Sequence, residues 1–287
     1  GEAPCFVVYG KQHIIIDGFE LANCYMGGVW IMSGSGELNS DITVMNNYIH
    51  HVDANSGANV GGVKVDRAGN VLVKNNLIHN ITVGGDMTNH NAAGVHSYRM
   101  WSTRIENNEI HSAPTAVYYK YPDDESRGGV EIRKNFFHDL LGTSVELNTN
   151  DQAIGQHKNI IISQNIAYNN PFFYSDHTYQ TRVQATGLEI SNNTIVNSGG
   201  IDVRGMGDVS IFNNIVYGVS NPLTGSEKQL PTIRTMHGGN VVSSPATRKA
   251  PRIIYSDFNL SYPAFNVHLG LYSGASESTL FHNLSEW

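Results

Sequence analysis

The stretch ITVMNNYIHHV, residues 42–52, recurs down the chain as VLVKNNLIHNI at 71–81, TRIENNEIHSA at 103–113, VEIRKNFFHDL at 130–140, IIISQNIAYNN at 160–170, LEISNNTIVNS at 188–198 and VSIFNNIVYGV at 209–219. IIIDGFELANC at 14–24 is a further copy with Gly18 and Phe19 in place of the Asn pair, and IIYSDFNLSY at 253–262 is a degenerate one. Successive copies start 28, 29, 32, 27, 30, 28, 21 and 44 residues apart, a period that belongs to stacked coils. Apolar and polar residues alternate on both sides of each Asn pair, so two short strands meet at a polar turn. The second Asn is the more regular: Asn47, Asn76, Asn108, Asn135, Asn165, Asn193 and Asn214. Asn tolerates left-handed backbone, and its amide both donates and accepts. Repeated at the inter-strand spacing of about 4.8 Å, these residues are expected to form an Asn ladder.

A third strand precedes each copy: GVWIMS (28–33), GVKVDR (62–67), GVHSYR (94–99), AVYYKY (116–121), SVELNT (144–149), FFYSDH (172–177) and GIDVRG (200–205). Three residues after the ladder, His50, His79, His111 and His138 fall in register. Ring stacking along the flank of the solenoid is the favoured reading of this column over a shared metal.

Composition agrees with the pattern. The chain has 287 residues, 40% hydrophobic, enough for a sizeable core, and 31 of them are Asn, which competes with its own backbone inside helices. A net charge of −7 argues against nucleic acid as a partner, and no apolar run is long enough to cross a bilayer. Cys5 and Cys24 bracket the first coil, where stacking brings them close. A bridge there would place the protein in a secreted or periplasmic setting.

With three strands per coil and an Asn ladder between the second and third, residues 1–220 resemble the right-handed parallel β-helix superfamily, the pectate-lyase-like fold. Its members include polysaccharide lyases, glycoside hydrolases, C5-epimerases and phage tailspikes, and no single family's local motif is matched. The resemblance implies an all-β, right-handed parallel β-helix of about eight to nine coils. The expected domain is single, 1–287, with 221–252 a long loop and 253–287 a degenerate last coil and tail. Both ends read as cut, so a missing segment or another chain is expected to cap them.

In this superfamily the substrate groove runs along the sheet of the first strand. Period-two alternation sends Trp30, Lys64, His96, Tyr118, Glu146 and Asp202 outward in one column, and Met32, Asp66, Tyr98, Lys120, Asn148 and Arg204 in the next. Ser33, Arg67, Arg99, Tyr121 and Thr149 follow at the turn, and with Phe173 inward, Tyr174 and Asp176 point outward. Long loops at 53–62 and 83–94 on one side, and at 121–130, 149–159 and 177–187 on the other, wall this sheet into a cleft. Trp30, Tyr118, Tyr121 and Tyr174 offer stacking surfaces for pyranose rings, and Lys64, Asp66, Asn148, Asp176, Asp202 and Arg204 offer polar contacts, so the expected partner is a polysaccharide or oligosaccharide.

Two catalytic readings follow. In one, His96, Tyr98, Arg99 and Lys120, with Lys64 nearby, form a basic centre on coils about 5 Å apart. Arg99 neutralises a uronate carboxylate, Lys120 or His96 removes the adjacent proton and Tyr98 protonates the leaving oxygen, as a lyase acting on an alginate- or pectate-type polymer requires. In the other, Glu146, Asp176 and Asp202 serve as a glycosidase's carboxylates at roughly 5 to 10 Å. A non-catalytic carbohydrate-binding solenoid is the third reading. Ca²⁺ is the one cofactor the resemblance brings in. Asp123, Asp124 and Glu125 offer oxygen ligands for it, although an exposed turn is the favoured reading of that loop.

Overall fold

A computed structural model describes residues 3–33, 39–55, 57–120, 128–149, 159–178, 185–203, 206–218, 233–236, 253–257, 260–262, 267–273 and 276–282. No helix occurs among them, so none is long and apolar enough to cross a membrane. Each copy of the repeat folds as two strands at a corner. Asn39–Met45, Thr103–Glu106, Val130–Arg133 and Ile160–Ser163 belong to the second sheet, and Tyr48–Val52, Glu109–His111, Phe136–His138 and Ile166–Tyr168 to the third. The preceding segments Gly27–Met32, Ala92–Trp101, Thr115–Lys120 and Thr143–Thr149 form the first sheet. Val60–Lys74 runs without a break through both the first and the second sheet, so one strand joins them.

The pairings between successive coils are parallel, with a register shift at Val209–Ser210, and they set Val63 beside Val29 and Val95, and Ile78 beside Ile49 and Ile110. Valines and isoleucines therefore stack in inward columns and form one continuous apolar core. Aliphatic stacks bury about 1.5 to 3 kcal/mol per side chain, and β-branched residues fit the pleated surface. Small residues are needed where the first strand begins. A Cβ on Gly62 would lie 2.4 Å from Ile78 Cγ2, and one on Gly94 would lie 2.4 Å from Ile110 Cγ2.

The ladder forms as expected. Asn76 Nδ2 donates to Asn108 Oδ1 (3.0 Å) and to the Val44 carbonyl (2.9 Å), while its Oδ1 accepts from the backbone N–H and the Nδ2 of Asn47, both at 3.0 Å. The same four bonds recur at Asn108, Asn135, Asn165 and Asn193, so each buried amide is fully satisfied. The left-handed residue is the one before the ladder. Gly18, Asn46, Asn75, Asn107, Lys134, Gln164, Asn192 and Asn213 have φ between 54° and 77°. Gly18 replaces Asn at that position because both residues tolerate positive φ.

Among the described residues the third sheet has nine strands, from Glu20–Ala22 to Leu260–Tyr262. Complete three-stranded turns among the described residues number about six, fewer than the eight to nine coils expected. Ile233–Met236, inside the segment expected to be a loop, is a first-sheet strand paired with Ile201–Val203. Ile253–Asp257, Leu260–Tyr262 and Val267–Ser273 continue the winding, and Ser276–His282 pairs antiparallel with Val267–Ser273. Cys5 and Cys24 are disulfide-bonded with their Cα atoms 5.3 Å apart, tying the first coil to the start of the second.

Candidate functional site

The parallel register assembles the expected outward column on the first sheet: Trp30, Lys64, His96, Tyr118 and Glu146 lie side by side on successive strands, with Ser175 and then Asp202 after them. Asp66, Tyr98, Lys120 and Asn148 form the neighbouring column. One part of the expected alignment is displaced. Ser175 stands between Glu146 and Asp202, so Tyr174 pairs with Val145 and Asp176 with Leu147, in the inward columns, and both are fully buried. The cause lies at the start of the strand, where Phe173 stands at the position of Ala116 and Ser144, one residue before the inward column, and the period-two count slips by one. Tyr174 therefore offers no stacking face to a ligand. Burial, with Asp176 and Asp202 nearby, pushes its hydroxyl well above the ordinary range.

A pocket of about 550 Å³ opens at the C-terminal end of these strands, lined by Ser33, Asn59, Lys64, Asp66, Arg67, Tyr98 and Arg99. Three cationic side chains face one carboxylate here, in a chain of net charge −7. Arg67 and Arg99 both take left-handed backbone, φ 59° and 57°, at the turn that follows their strands. Such conformations cost energy in a residue with a Cβ and mark positions held by their surroundings. Lys64 Nζ sits 4.0 Å from the centre of the Trp30 ring, and burial lowers its pKa to about 8 against the opposing pull of Asp66. Ser33 Oγ is shielded from solvent and has no hydrogen-bond partner.

Lys120 links this pocket to the next coils. Its Nζ donates to Asn59 Oδ1 (3.0 Å) and Asn91 Oδ1 (2.7 Å) and lies 4.3 Å from the Tyr118 ring and 5.5 Å from the Tyr98 ring. Burial lowers its pKa to about 8, with Glu146 acting in the opposite direction. His96, expected to be a solvent-facing base, is 0% exposed, packed against Tyr98 and Tyr118, and neither ring nitrogen has a hydrogen-bond partner. Desolvation, reinforced by Lys120 and Lys64, holds it neutral, well below the usual histidine range. Tyr118 accepts a hydrogen bond from Asn148 Nδ2 at 2.8 Å.

Glu146 is only 2% exposed and is held by His90 Nδ1 at 3.1 Å and Thr115 Oγ1 at 3.3 Å. The His90 side chain is 55% exposed, and its hydrogen bond to Glu146 raises its pKa. A buried carboxylate thus orients an accessible imidazole on the 83–94 loop. His90, Asn59 and Asn91 escaped the sequence reading. The two asparagines were within reach of it, since NVGGV at 59–63 and NAAGV at 91–95 are aligned segments and Val60 N–H bonds the Asn91 carbonyl. His90 belongs to no repeating column and carries no such signal. Arg204 and Tyr121 lie outside the described residues, as do Asp123, Asp124 and Glu125 and most of the segments 121–130, 149–159 and 177–187 that were expected to wall the cleft.

No family model and no curated protein matches the chain. Solved structures do. A mutant tailspike protein of E. coli bacteriophage HK620 in complex with a hexasaccharide superposes with TM-score 0.51 at 12% identity, covering 94% of this chain and 50% of that one. A double mutant of the same tailspike with a pentasaccharide gives 0.51 at 13%, covering 90% and 46%. The catalytic domain of a GH87 alpha-1,3-glucanase in complex with tetrasaccharides gives 0.43 at 14%, covering 75% and 48%. The chain spans about half the length of these structures. The chain is a parallel β-helix. At such identities the likeness shows the fold alone.

Proposed function

We propose that the first-sheet face binds an acidic polysaccharide and cleaves it by β-elimination. The observation that carries this reading is the convergence of Lys64, Arg67 and Arg99 on one pocket beside Tyr98, in an otherwise anionic chain. A site built this way selects a carboxylated sugar. The bound oligosaccharides of the tailspike structures give the same kind of support to a sugar ligand on this fold.

In the proposed step Arg67 and Arg99 take the uronate carboxylate and stabilise the charge that builds on it as the adjacent proton leaves. Lys120 is the base. With its amine neutral, the two N–H bonds point at Asn59 and Asn91, and the lone pair is left for the substrate. The electron pair of the broken C–H bond forms the ring double bond, the glycosidic C–O bond breaks, and Tyr98 gives its proton to the leaving oxygen. Of the hydrolase reading's three carboxylates, Asp176 lies in an inward column, while Glu146 and Asp202 share the outward column with Ser175 between them and are each 2% exposed, Glu146 being engaged by His90 and Thr115. The Cys5–Cys24 disulfide supports an extracytoplasmic setting, where such polymers are found.

Incubation with alginate, pectate, glycosaminoglycans and neutral glycans tests the proposal, following ultraviolet absorbance of unsaturated uronates together with reducing-end release. One acidic polymer should give both signals. Reducing ends without absorbance overturn elimination, and glycan binding with neither signal makes the face a binding site only.

A further inference from the structure

The third sheet carries a second cluster of chemistry far from the use proposed for the first. His50, His79, His111 and His138 stack along it with ring centroids 5.3, 4.7 and 4.7 Å apart, as the register implied. Around the last pair, Glu109, His111 and His138 each offer one ligand atom, and these atoms lie within 4.8 Å of one another.

The hydrogen bonding around His138 does not close for a neutral ring. Its Nδ1 is 2.9 Å from Asp139 Oδ2 and its Nε2 is 3.3 Å from Glu109 Oε1. A neutral imidazole has one N–H and one lone pair. It can donate to one of these carboxylates, and its lone pair then faces the other. A positive unit between His138 Nε2 and Glu109 removes the mismatch, and either a proton or a metal ion can supply it. The surroundings favour the metal. Asp139 on His138 Nδ1, and Ser112 Oγ 3.0 Å from His111 Nδ1, are partners of the kind that fix the tautomer of a ligating histidine and leave Nε2 free. Two imidazoles and one carboxylate suit a borderline divalent ion rather than Ca²⁺ or Mg²⁺.

We propose that Glu109, His111 and His138 bind one transition-metal ion of the Zn²⁺ class, pinning adjacent windings on the face away from the cleft. Metal–nitrogen bonds of about 2.0 to 2.1 Å require the ligand atoms to draw together.

The test is titration of the metal-free protein with Zn²⁺ by calorimetry and with Co²⁺ by visible absorption. A single saturable site with tetrahedral Co²⁺ bands is expected, with affinity falling about tenfold or more in His138→Ala and Glu109→Gln and unchanged in His50→Ala. Glu109→Gln keeps every stacked ring, so its loss of affinity cannot come from collapse of the column, and melting curves verify the fold of each variant. Absence of saturable binding, or binding indifferent to Glu109 and His138, overturns the site. A doubly protonated His138 at neutral pH in nitrogen NMR, unchanged by added Zn²⁺, assigns the role to a proton and overturns it equally.

Discussion

Lys120 condenses the chemistry of the cleft into one side chain: buried, 7% exposed, gripped by two amide oxygens and pushed to a pKa of about 8. As a base it must first lose its proton, so kcat/KM on the cleaved polymer should rise with pH and level off above about 8. Lys120→Ala should lower kcat by about 100-fold or more, read from initial rates of unsaturated-uronate formation. His90 tests a different link. Its folded-state pKa is raised by Glu146, so its contribution to stability is fully present below the unfolded-state pKa and disappears as pH rises through the folded one. Glu146→Gln should move the His90 NMR titration down towards the ordinary value and remove that increment. Lys64, Asp66, Tyr98, Arg99 and Lys120 were legible in the sequence because the repeat fixes which residues share a face. The burial of Lys64, His96, Lys120 and Glu146 was not, because neighbouring side chains and loops that follow no period cover them.

At the scale of the element, the corner between the second and third sheets is the most repetitive structure in the chain. Asn135→Ala removes four hydrogen bonds from the middle of the ladder and leaves the Asn108 backbone N–H and Nδ2, the Ile105 carbonyl and Asn165 Oδ1 short of a partner. A loss of at least about 2 kcal/mol is expected from those orphaned groups, measured as a lowered urea midpoint. Immediately before it, Lys134 is exposed and holds φ 57° where most copies have Asn. Lys134→Asn should raise the midpoint by about 0.5 to 1 kcal/mol, since Asn tolerates this backbone at less cost. The corner was readable because both of its positions repeat, although the left-handed backbone belongs to the residue before the ladder. The strand at Phe172–Thr178 was misread by one residue because Phe173 stands at the position of Ala116 and Ser144, and its large apolar ring reads as a member of the inward column that Val117, Val145 and Tyr174 fill.

The whole molecule is a stack in which each winding contacts the next, so weak points on one flank add along its length. On the third sheet burial lowers the pKa of His79 and His111, with neighbouring histidines adding to the effect. These groups are neutral when folded and gain protons more readily when unfolded, so stability should fall as pH drops below the usual histidine range and down through their folded-state pKa values. Thermal melts across that interval should show it, and His79→Gln should blunt it. The sign is opposite to that of His90, so the two sides of the solenoid answer acid differently. The ladder has one more consequence. Because each ladder amide meets only adjacent windings, as Asn165 meets Asn135 and the Ile132 carbonyl behind it and Asn193 ahead, 28 residues on, the amide row records no absolute position. Excising a winding leaves two amides that fit each other as well as the pair they replace. Length in this protein is a quantity that inheritance can edit in whole units, lengthening or shortening the molecule by duplication or deletion without redesigning the parts that remain.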